Sequence, residues 1–240
     1  MTQPLKDRVA IIVGSSSGMG KATAATFAEA GAQVMLAARR ANELHRLATE
    51  LGENAAACPT DVQDPAAVNR LVEATLAHFG RIDILVYVTG TNIPERSLEV
   101  LSNETWDMMI QTNLTGAFYC TKAVLATMRR QKSGLIIYVS STAAKYADAS
   151  GVSYQASKHG LTGLANGTFK EERDNGIRTS IIFPGLTDTP LVLKRPVPTP
   201  QEDIARALQP QDVADACLFV ASLPPRANVP ELLLVPTALA

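Results

Sequence analysis

The run Val9-Ala10-Ile11-Ile12-Val13-Gly14-Ser15-Ser16-Ser17-Gly18-Met19-Gly20 places a short apolar segment directly before a glycine-rich loop. Five consecutive apolar residues are typical of a strand that is buried on both faces of a parallel sheet. A helical pattern follows over 21–30 and ends at Gly31, a natural helix stop. Together these segments predict a phosphate cradle, because glycines permit close backbone approach and a helix N-terminus attracts anionic oxygens.

The spacing of these glycines leaves the function of the loop open. Gly14, Gly18 and Gly20 follow the pattern Gly-x3-Gly-x-Gly, which differs from the standard dinucleotide fingerprint Gly-x-Gly-x-x-Gly. The loop is not a P-loop either, since Gly20-Lys21 is followed by alanine and not by serine or threonine. Taken alone, the loop is as consistent with a plain turn as with phosphate binding.

Strands and helices alternate along the remaining chain. Further strand-like apolar runs lie at 33–38, 55–58, 82–88, 135–139, 179–183 and 231–235. Helical patterns between and around them lie at 41–51, 65–79, 104–130, 152–175 and 211–222. This alternation predicts one α/β domain over residues 1–240, with a doubly wound parallel central sheet and helices on both faces. Residues 186–207 contain a proline-rich stretch after a strand end, and we expect them to form a substrate lid.

Composition excludes several classes of partner. The chain has 240 residues and a formal net charge of −1, so no basic surplus indicates nucleic acid or an anionic membrane. No apolar run reaches the roughly 20 residues of a membrane span, and the first residues lack the apolar core of a signal peptide. The three cysteines are predicted to be reduced, and the three histidines lack metal-ligand spacing. We therefore expect a cytoplasmic protein with a small-molecule partner and no metal.

The residues at the end of the second predicted strand indicate which nicotinamide cofactor the protein prefers. An acidic residue at this point binds the ribose diol of NAD, whereas a basic residue accommodates the 2′-phosphate of NADP. Residues 37–40 read Ala-Ala-Arg-Arg and carry no carboxylate. Arg39 is the favoured phosphate clamp because guanidinium binds phosphate in bidentate fashion, and Ser15 could add a hydroxyl. The alternative is that Arg39 and Arg40 only solvate the start of the next helix. We predict NADP(H).

A second chemical signal follows the apolar run 135–139. Tyr154 and Lys158 are four residues apart, so they share one face of the predicted helix. A nearby ammonium lowers the pKa of a tyrosine from its usual value of roughly 10, so the pair could exchange a proton with an alcohol or carbonyl oxygen. Ser141, at the end of the strand, could hold the same oxygen. Such Tyr-Lys pairs also occur by chance on many helices.

The order of these signals resembles a classical short-chain dehydrogenase/reductase over nearly the whole chain. The glycine loop comes first, then Asn113 on a long helix, Ser141 thirteen positions before Tyr154, and Tyr154-x3-Lys158. The resemblance implies a Rossmann-like fold and an NADP(H)-dependent oxidoreductase that interconverts a ketone and a secondary alcohol. It implies that Tyr154 is the general acid or base and that Ser141, in preference to Ser140, polarises the substrate oxygen. Lys158 would bond the nicotinamide ribose and lower the Tyr154 pKa, and Asn113 would kink its helix and hold a water of a proton relay.

The resemblance also implies the residues around the two ligands. The implied cofactor-binding residues are Gly14, Ser15, Ser17, Gly18, Met19, Gly20, Arg39, Arg40, Asp61, Val62, Gly90, Tyr154, Lys158, Pro184, Gly185, Thr187 and Thr189. The expected substrate residues are Ser141, Ala143, Tyr146, Tyr154, Leu186 and Leu191, with Thr91, Ile93 and Ala147 beside them. Most of these are apolar, which predicts a hydrophobic substrate. Lys194 and Arg195 could attract a substrate carboxylate or phosphopantetheine, although a solvated loop is the favoured interpretation.

Two alternative functions and a predicted oligomeric state accompany the resemblance. The protein could be a 3-oxoacyl thioester reductase, or a non-catalytic NADP-binding sensor or scaffold. Small residues on the Tyr154 helix, which pairs between subunits in the family, predict a homodimer or homotetramer.

The chain departs from the family at Tyr87-Val88-Thr89-Gly90, where Asn-Asn-Ala-Gly is usual. This departure removes two amides that are expected to knit the central sheet.

Overall fold

A computed structural model describes residues 3–238 of the chain. Seven parallel strands form one sheet in the order β3-β2-β1-β4-β5-β6-β7. The strands are β1 Val9–Val13, β2 Gln33–Ala38, β3 Ala55–Pro59, β4 Ile84–Tyr87, β5 Gly134–Val139, β6 Ile177–Pro184 and β7 Glu231–Leu234. The predicted α/β fold with a parallel central sheet is confirmed.

The helices cover both faces of this sheet. They are α1 Gly18–Glu29, α2 Ala41–Leu51, α3 Pro65–Phe79, α4 Asn103–Ile110, α5 Gly116–Gln131, α6 Val152–Glu172, α7 Gln201–Arg206 and α8 Pro210–Ser222. Successive strand residues point to opposite faces, so Ile11 and Val13 belong to one apolar core and Ala10 and Ile12 to the other. Helices α3, α5 and α6 pack on the first core, and α1, α2 and α8 on the second.

The single helix predicted over 104–130 is wrong in one respect. A π-helical segment, Gln111–Thr115, interrupts it between α4 and α5, and the Gly116 N–H reaches back to the Gln111 carbonyl oxygen. A π segment adds one residue to a helical turn and often marks a functional site. The segment displaces the following residues around the helix axis, and Asn113 lies at its centre.

The strand order reverses between β1 and β4. The chain runs outward from β1 to β3 and then returns to place β4 against the other side of β1. In an open parallel sheet, a crevice forms at such a reversal beside the carboxyl ends of the strands, and ligands bind there. The predicted lid, 186–207, contains a 3-10 turn at Pro190–Lys194 and the short helix α7. None of the helices within residues 3–238 is both long enough and apolar enough to cross a bilayer.

Candidate active site

A cleft of about 370 Å³ lies at this strand reversal. Its volume falls within the range of small-molecule and cofactor sites. The glycine loop lines one end, and Tyr154 and Lys158 line the other. The further lining residues are Ser16, Ser17, Met19, Ala38, Arg39, Arg40, Thr60, Asp61, Val62, Gln63, Val88, Thr89, Gly90, Thr91, Thr112, Val139, Ser140, Thr189, Pro190, Leu191 and Lys194. One cleft thus joins the predicted phosphate cradle to the predicted proton donor.

The glycine loop is shaped by close backbone contacts. Gly14 has φ +102°, and a β-carbon there would lie 2.8 Å from the Thr89 nitrogen. A β-carbon at Gly20 would lie 2.2 Å from the Gly14 carbonyl oxygen. The N-cap residue of α1, Ser17, makes no side-chain cap hydrogen bond. The N–H groups of the first turn therefore remain available for an anion, so the loop fits a nucleotide phosphate.

The three serines of the loop do not all face the cleft, and the prediction that Ser15 contacts the cofactor is not supported. Ser15 is fully buried, and its hydroxyl donates to the Ala37 carbonyl oxygen at 3.4 Å, so it faces the sheet and not the cleft. Ser16 lines the cleft instead. Arg40 donates to the hydroxyl oxygens of Ser16 at 2.9 Å and Ser17 at 2.7 Å. Three consecutive serines carry no local signal that separates these roles.

Asn113 fixes the backbone at the mouth of the cleft. Its Oδ1 accepts from the Thr91 N–H at 2.8 Å, and its Nδ2 donates to the Thr91 carbonyl oxygen at 3.0 Å. The same Nδ2 donates to the Ser157 hydroxyl oxygen at 3.1 Å. Asn113 thereby ties the chain after β4 to α6, which carries Tyr154. The predicted interruption of its helix is present as the π segment, and the water relay stays a prediction.

The unusual Tyr87 supplies a different tie at the end of β4. Its hydroxyl donates to the Thr112 carbonyl oxygen in the π segment at 2.6 Å, and its side chain is fully buried. Burial raises the pKa of Tyr87 well above its usual value. A β-carbon at Gly116 would lie 2.8 Å from this hydroxyl and 2.8 Å from Val62 Cγ2. Tyr87 and Gly116 therefore form a matched pair that holds β4 against the π segment.

Tyr87→Phe should lower the free energy of unfolding by about 1–3 kcal/mol, because the Thr112 carbonyl oxygen loses its buried donor. Urea unfolding of the two proteins measures this. Tyr138→Phe is the control, since among the described residues the Tyr138 hydroxyl bonds only to side-chain hydroxyls, including Thr121 Oγ1 at 2.7 Å. A freed threonine hydroxyl can turn to a helix carbonyl, so the control should lose less. Equal losses would contradict the role assigned to Tyr87.

Tyr154 and Lys158 lie together below the cleft. Lys158 Nζ donates to the Val139 carbonyl oxygen at 3.1 Å and lies 5.7 Å from the centre of the Tyr154 ring. Both side chains are buried: 3% of the surface of Lys158 and 8% of the surface of Tyr154 are exposed. A β-carbon at Gly90 would lie 3.1 Å from Lys158 Nζ, so glycine leaves room for the ammonium. The predicted pair is therefore present on one face of α6.

The expected effect of Lys158 on the Tyr154 pKa needs correction. Burial raises the pKa of Tyr154 to about 12, and the hydrogen bond with Ser141 only partly opposes this rise. Burial also lowers the pKa of Lys158 to about 8. The reason is that desolvation penalises the charged form of each group. The protein groups alone therefore keep Tyr154 protonated at neutral pH.

The two neighbouring serines have separate partners. Ser141 accepts from the Ala143 N–H at 3.2 Å and is near enough to Tyr154 to share a hydrogen bond that affects its pKa. Ser140 is buried and donates to the Lys158 carbonyl oxygen at 3.1 Å. Ser140 thus anchors α6 to the end of β5, while Ser141 stays beside the tyrosine.

The predicted substrate side is only partly assembled. Ala143 packs with Met109 and Tyr154 in a small apolar cluster, which Ile93 and Met108 border. Leu191 and Thr91 line the cleft, and Leu186 is half-buried outside the lining. Tyr146 is 62% exposed and Ala147 is exposed, so neither is held in the cleft.

Besides Ser15, three predicted cofactor residues lie away from the cleft. A β-carbon at Gly185 would lie 2.9 Å from Pro236, so this glycine packs against the chain after β7. Pro184 ends β6 in the register with Leu234, and Thr187 donates to the Gly185 carbonyl oxygen at 3.0 Å. Thr189 lines the cleft as predicted. A β-carbon at Gly18 would lie 3.3 Å from the Thr189 methyl carbon, Cγ2.

Comparison with known proteins gives consistent matches. Residues 8–197 match the family model described as short chain dehydrogenase. A cis-4-hydroxycyclohexanecarboxylate dehydrogenase of Sinomonas cyclohexanicum is 34% identical over 229 residues, which cover 92% of this chain and 92% of that protein. A short-chain oxidoreductase of metagenomic origin, in complex with NADP, is 30% identical with a TM-score of 0.84 and coverage of 98% and 99%. The 3-ketoacyl-(acyl-carrier-protein) reductase from Brucella melitensis, complexed with NADH, is 27% identical with a TM-score of 0.91 and coverage of 97% and 98%.

Proposed function

Because the chain is an oxidoreductase that belongs to the short-chain dehydrogenase family, we propose that it interconverts a ketone and a secondary alcohol with NADP(H). The observation that carries this proposal is the single cleft with a phosphate cradle at one end and Tyr154 with Lys158 at the other. Ser141 and Asn113 adjoin the same end. A pure nucleotide sensor would have no use for this second set of groups.

Each polar group has a distinct task in the proposed reaction. When bound, the nicotinamide supplies or accepts the hydride. Tyr154, protonated at neutral pH, gives its hydroxyl proton to the carbonyl oxygen during reduction and takes it back during oxidation. Ser141 holds the substrate oxygen by donating a hydrogen bond. Lys158, fixed by the Val139 carbonyl oxygen, places a positive charge beside the phenolate that forms.

The preference for NADP rests on Arg39 and Arg40 at the end of β2. Both line the cleft, and residues 37–40 carry no carboxylate. Arg40 is bonded to two serines of the loop, whereas Arg39 makes no side-chain hydrogen bond or ion pair with residues 3–238. We propose that Arg39 is the main clamp for the 2′-phosphate. A solved relative binds NADP and another binds NADH, so the family fold accepts both.

Arg39→Asp should lower the ratio of kcat/KM for NADPH over NADH by about 10–100-fold, because a charge-assisted phosphate contact is replaced by repulsion. Initial rates with each cofactor over a panel of aryl ketones, diketones and 3-oxoacyl thioesters measure the ratio. Arg46→Asp on the exposed part of α2 changes the charge equally outside the cleft and should leave it unaltered. Wild-type preference for NADH, or an unchanged ratio in Arg39→Asp, would refute the clamp.

The substrate panel also separates the two alternatives. Preference for 3-oxoacyl thioesters would favour the thioester reductase, an activity borne by the Brucella melitensis relative. Tight NADPH binding without turnover of any carbonyl would favour the sensor or scaffold. The homodimer or homotetramer stays a prediction. The cytoplasmic location also stays a prediction.

A further inference from the structure

Arg96 is a buried cation beside the reactive end of the cleft. Only 8% of its surface is exposed. Its Nε donates to the Ile93 carbonyl oxygen at 2.8 Å, and its Nη2 donates to the Lys194 carbonyl oxygen at 2.7 Å. A β-carbon at Gly151, the residue before α6, would lie 2.6 Å from Arg96 Cβ. Arg96 therefore packs against the start of the Tyr154 helix and fixes the turn that carries Lys194.

Lys194 brings a second cation into the cleft itself. It lines the same cleft as Tyr154, and its Nζ donates to Thr91 Oγ1 at 3.0 Å. Asn113 holds the backbone of Thr91 through two hydrogen bonds. The ammonium of Lys194 is thus directed towards the substrate side by a residue that is itself fixed. Arg195 follows and donates to Thr199 Oγ1 at 3.1 Å.

Among the described residues, no carboxylate is paired with any of these three cations. Within residues 3–238, none of them forms an ion pair within 4.0 Å. Asp148 acts on Arg96 from a distance, but its carboxylate accepts from the N–H and hydroxyl of Ser150. Burial lowers the pKa of Arg96, and the charge of Arg195 adds to the effect. The charge of Asp148 acts to raise the pKa of Tyr154, and the charges of Arg96 and Arg195 act to lower it, so the two cations lie near the Tyr154 hydroxyl together with one carboxylate.

Neighbouring cations repel each other, and a bound anion relieves that repulsion. Of the three, Arg96 is buried, whereas Lys194 and Arg195 are exposed and accessible to a ligand. We propose that Lys194, Arg195 and Arg96 form a carboxylate subsite, with Lys194 as the direct donor and Arg96 as the residue that positions it. The substrate is then an oxo acid or hydroxy acid with an apolar skeleton. The skeleton would contact Leu191, which lines the cleft, and the half-buried Ile93, which borders the apolar cluster of Ala143 and Met109. This inference rests on the proposed function. It changes the expected substrate class from a hydrophobic ketone or alcohol to one that also carries a carboxylate.

A matched pair of substrates tests the subsite. The wild type should reduce 4-oxocyclohexanecarboxylate with a kcat/KM about tenfold or more above that for its methyl ester, because a charge-assisted contact is lost in the ester. Lys194→Met should lower kcat/KM for the acid by about tenfold or more and change the ester by less than about twofold. Arg195→Gln should have a smaller effect of the same sign. Arg226→Gln removes an exposed cation from the loop between α8 and β7, outside the lid and the cleft, and as the control it should change neither.

Binding without turnover separates this inference from the proposed function. Calorimetric titration in the presence of NADP⁺ should show cyclohexanecarboxylate binding about tenfold tighter than cyclohexanecarboxamide to the wild type but not to Lys194→Met. Equal or undetectable binding of the two compounds to the wild type would overturn the subsite. A raised KM for NADPH in Lys194→Met, with acid and ester affected alike, would also overturn it and assign Lys194 to the cofactor. Selective carboxylate binding without reduction of any ketone would support the subsite and refute the proposed activity.

Discussion

Tyr154→Phe is expected to lower kcat for ketone reduction by about 10³-fold, because the variant keeps the ring but has no proton to give to the substrate oxygen. Burial raises the pKa of Tyr154 to about 12, so the hydroxyl is protonated at neutral pH and serves as the acid for reduction. The ring packs with Ala143 and Met109, and phenylalanine preserves those contacts. The fold and the affinity for NADPH should therefore change little.

Two measurements distinguish lost chemistry from lost binding. Oxidation of NADPH in the presence of ketone gives kcat, and fluorescence titration of NADPH gives Kd. Tyr119→Phe removes a hydroxyl from a half-buried tyrosine of α5 outside the cleft, and it should match the wild type in both measurements. If Tyr154→Phe retained kcat within about tenfold of the wild type, Tyr154 would not be the general acid. A comparable loss of NADPH affinity would indicate a structural role.

The fold was predictable because local signals agreed with the global pattern. The predicted bounds of β1, β2, α2 and α3 match the structure to the residue. Pro65 at the first position of α3 marks a boundary that requires no tertiary information. Residues 104–130 read locally as one helix, so only the resemblance implied a kink at Asn113, and its form as a π segment was not predictable. Its stabilising contacts come from Tyr87 and Thr91, which lie more than twenty positions earlier.

The site was predictable only where family order or helical spacing specifies it. Tyr154 and Lys158 share a helix face by spacing alone, and the structure places them together. Gly185 follows β6 as the family pattern requires, yet contacts with Pro236 draw it away from the cleft. Arg96 was missed because its significance depends on a contact with the Lys194 carbonyl oxygen, 98 positions along the chain. Such pairings are made by tertiary packing and leave no local signal.

Gly20→Ala is expected to lower the free energy of unfolding by about 2–4 kcal/mol through overpacking. It should also weaken NADPH binding at least about tenfold, because the helix end that receives the phosphate would be displaced. The new methyl group would lie 2.2 Å from the Gly14 carbonyl oxygen and 2.9 Å from Val88 Cγ1. Gly14 cannot easily yield, since its N–H donates to the Ala37 carbonyl oxygen in β2 at 2.7 Å. Relief requires that α1 move away from β1.

The sign of the stability change is informative, because alanine is normally favoured over glycine inside a helix by about 0.5–1 kcal/mol. Gly163→Ala on α6 is the matched control, since a β-carbon there has no atom within 4 Å. It should gain stability or remain unchanged and bind NADPH like the wild type. Urea unfolding and NADPH titration of both variants provide the comparison. If Gly20→Ala behaved like Gly163→Ala in both, the close contact between Gly20 and Gly14 would not shape the phosphate cradle. A stable Gly20→Ala protein with weakened NADPH binding would instead show that the loop moves while α1 stays in place.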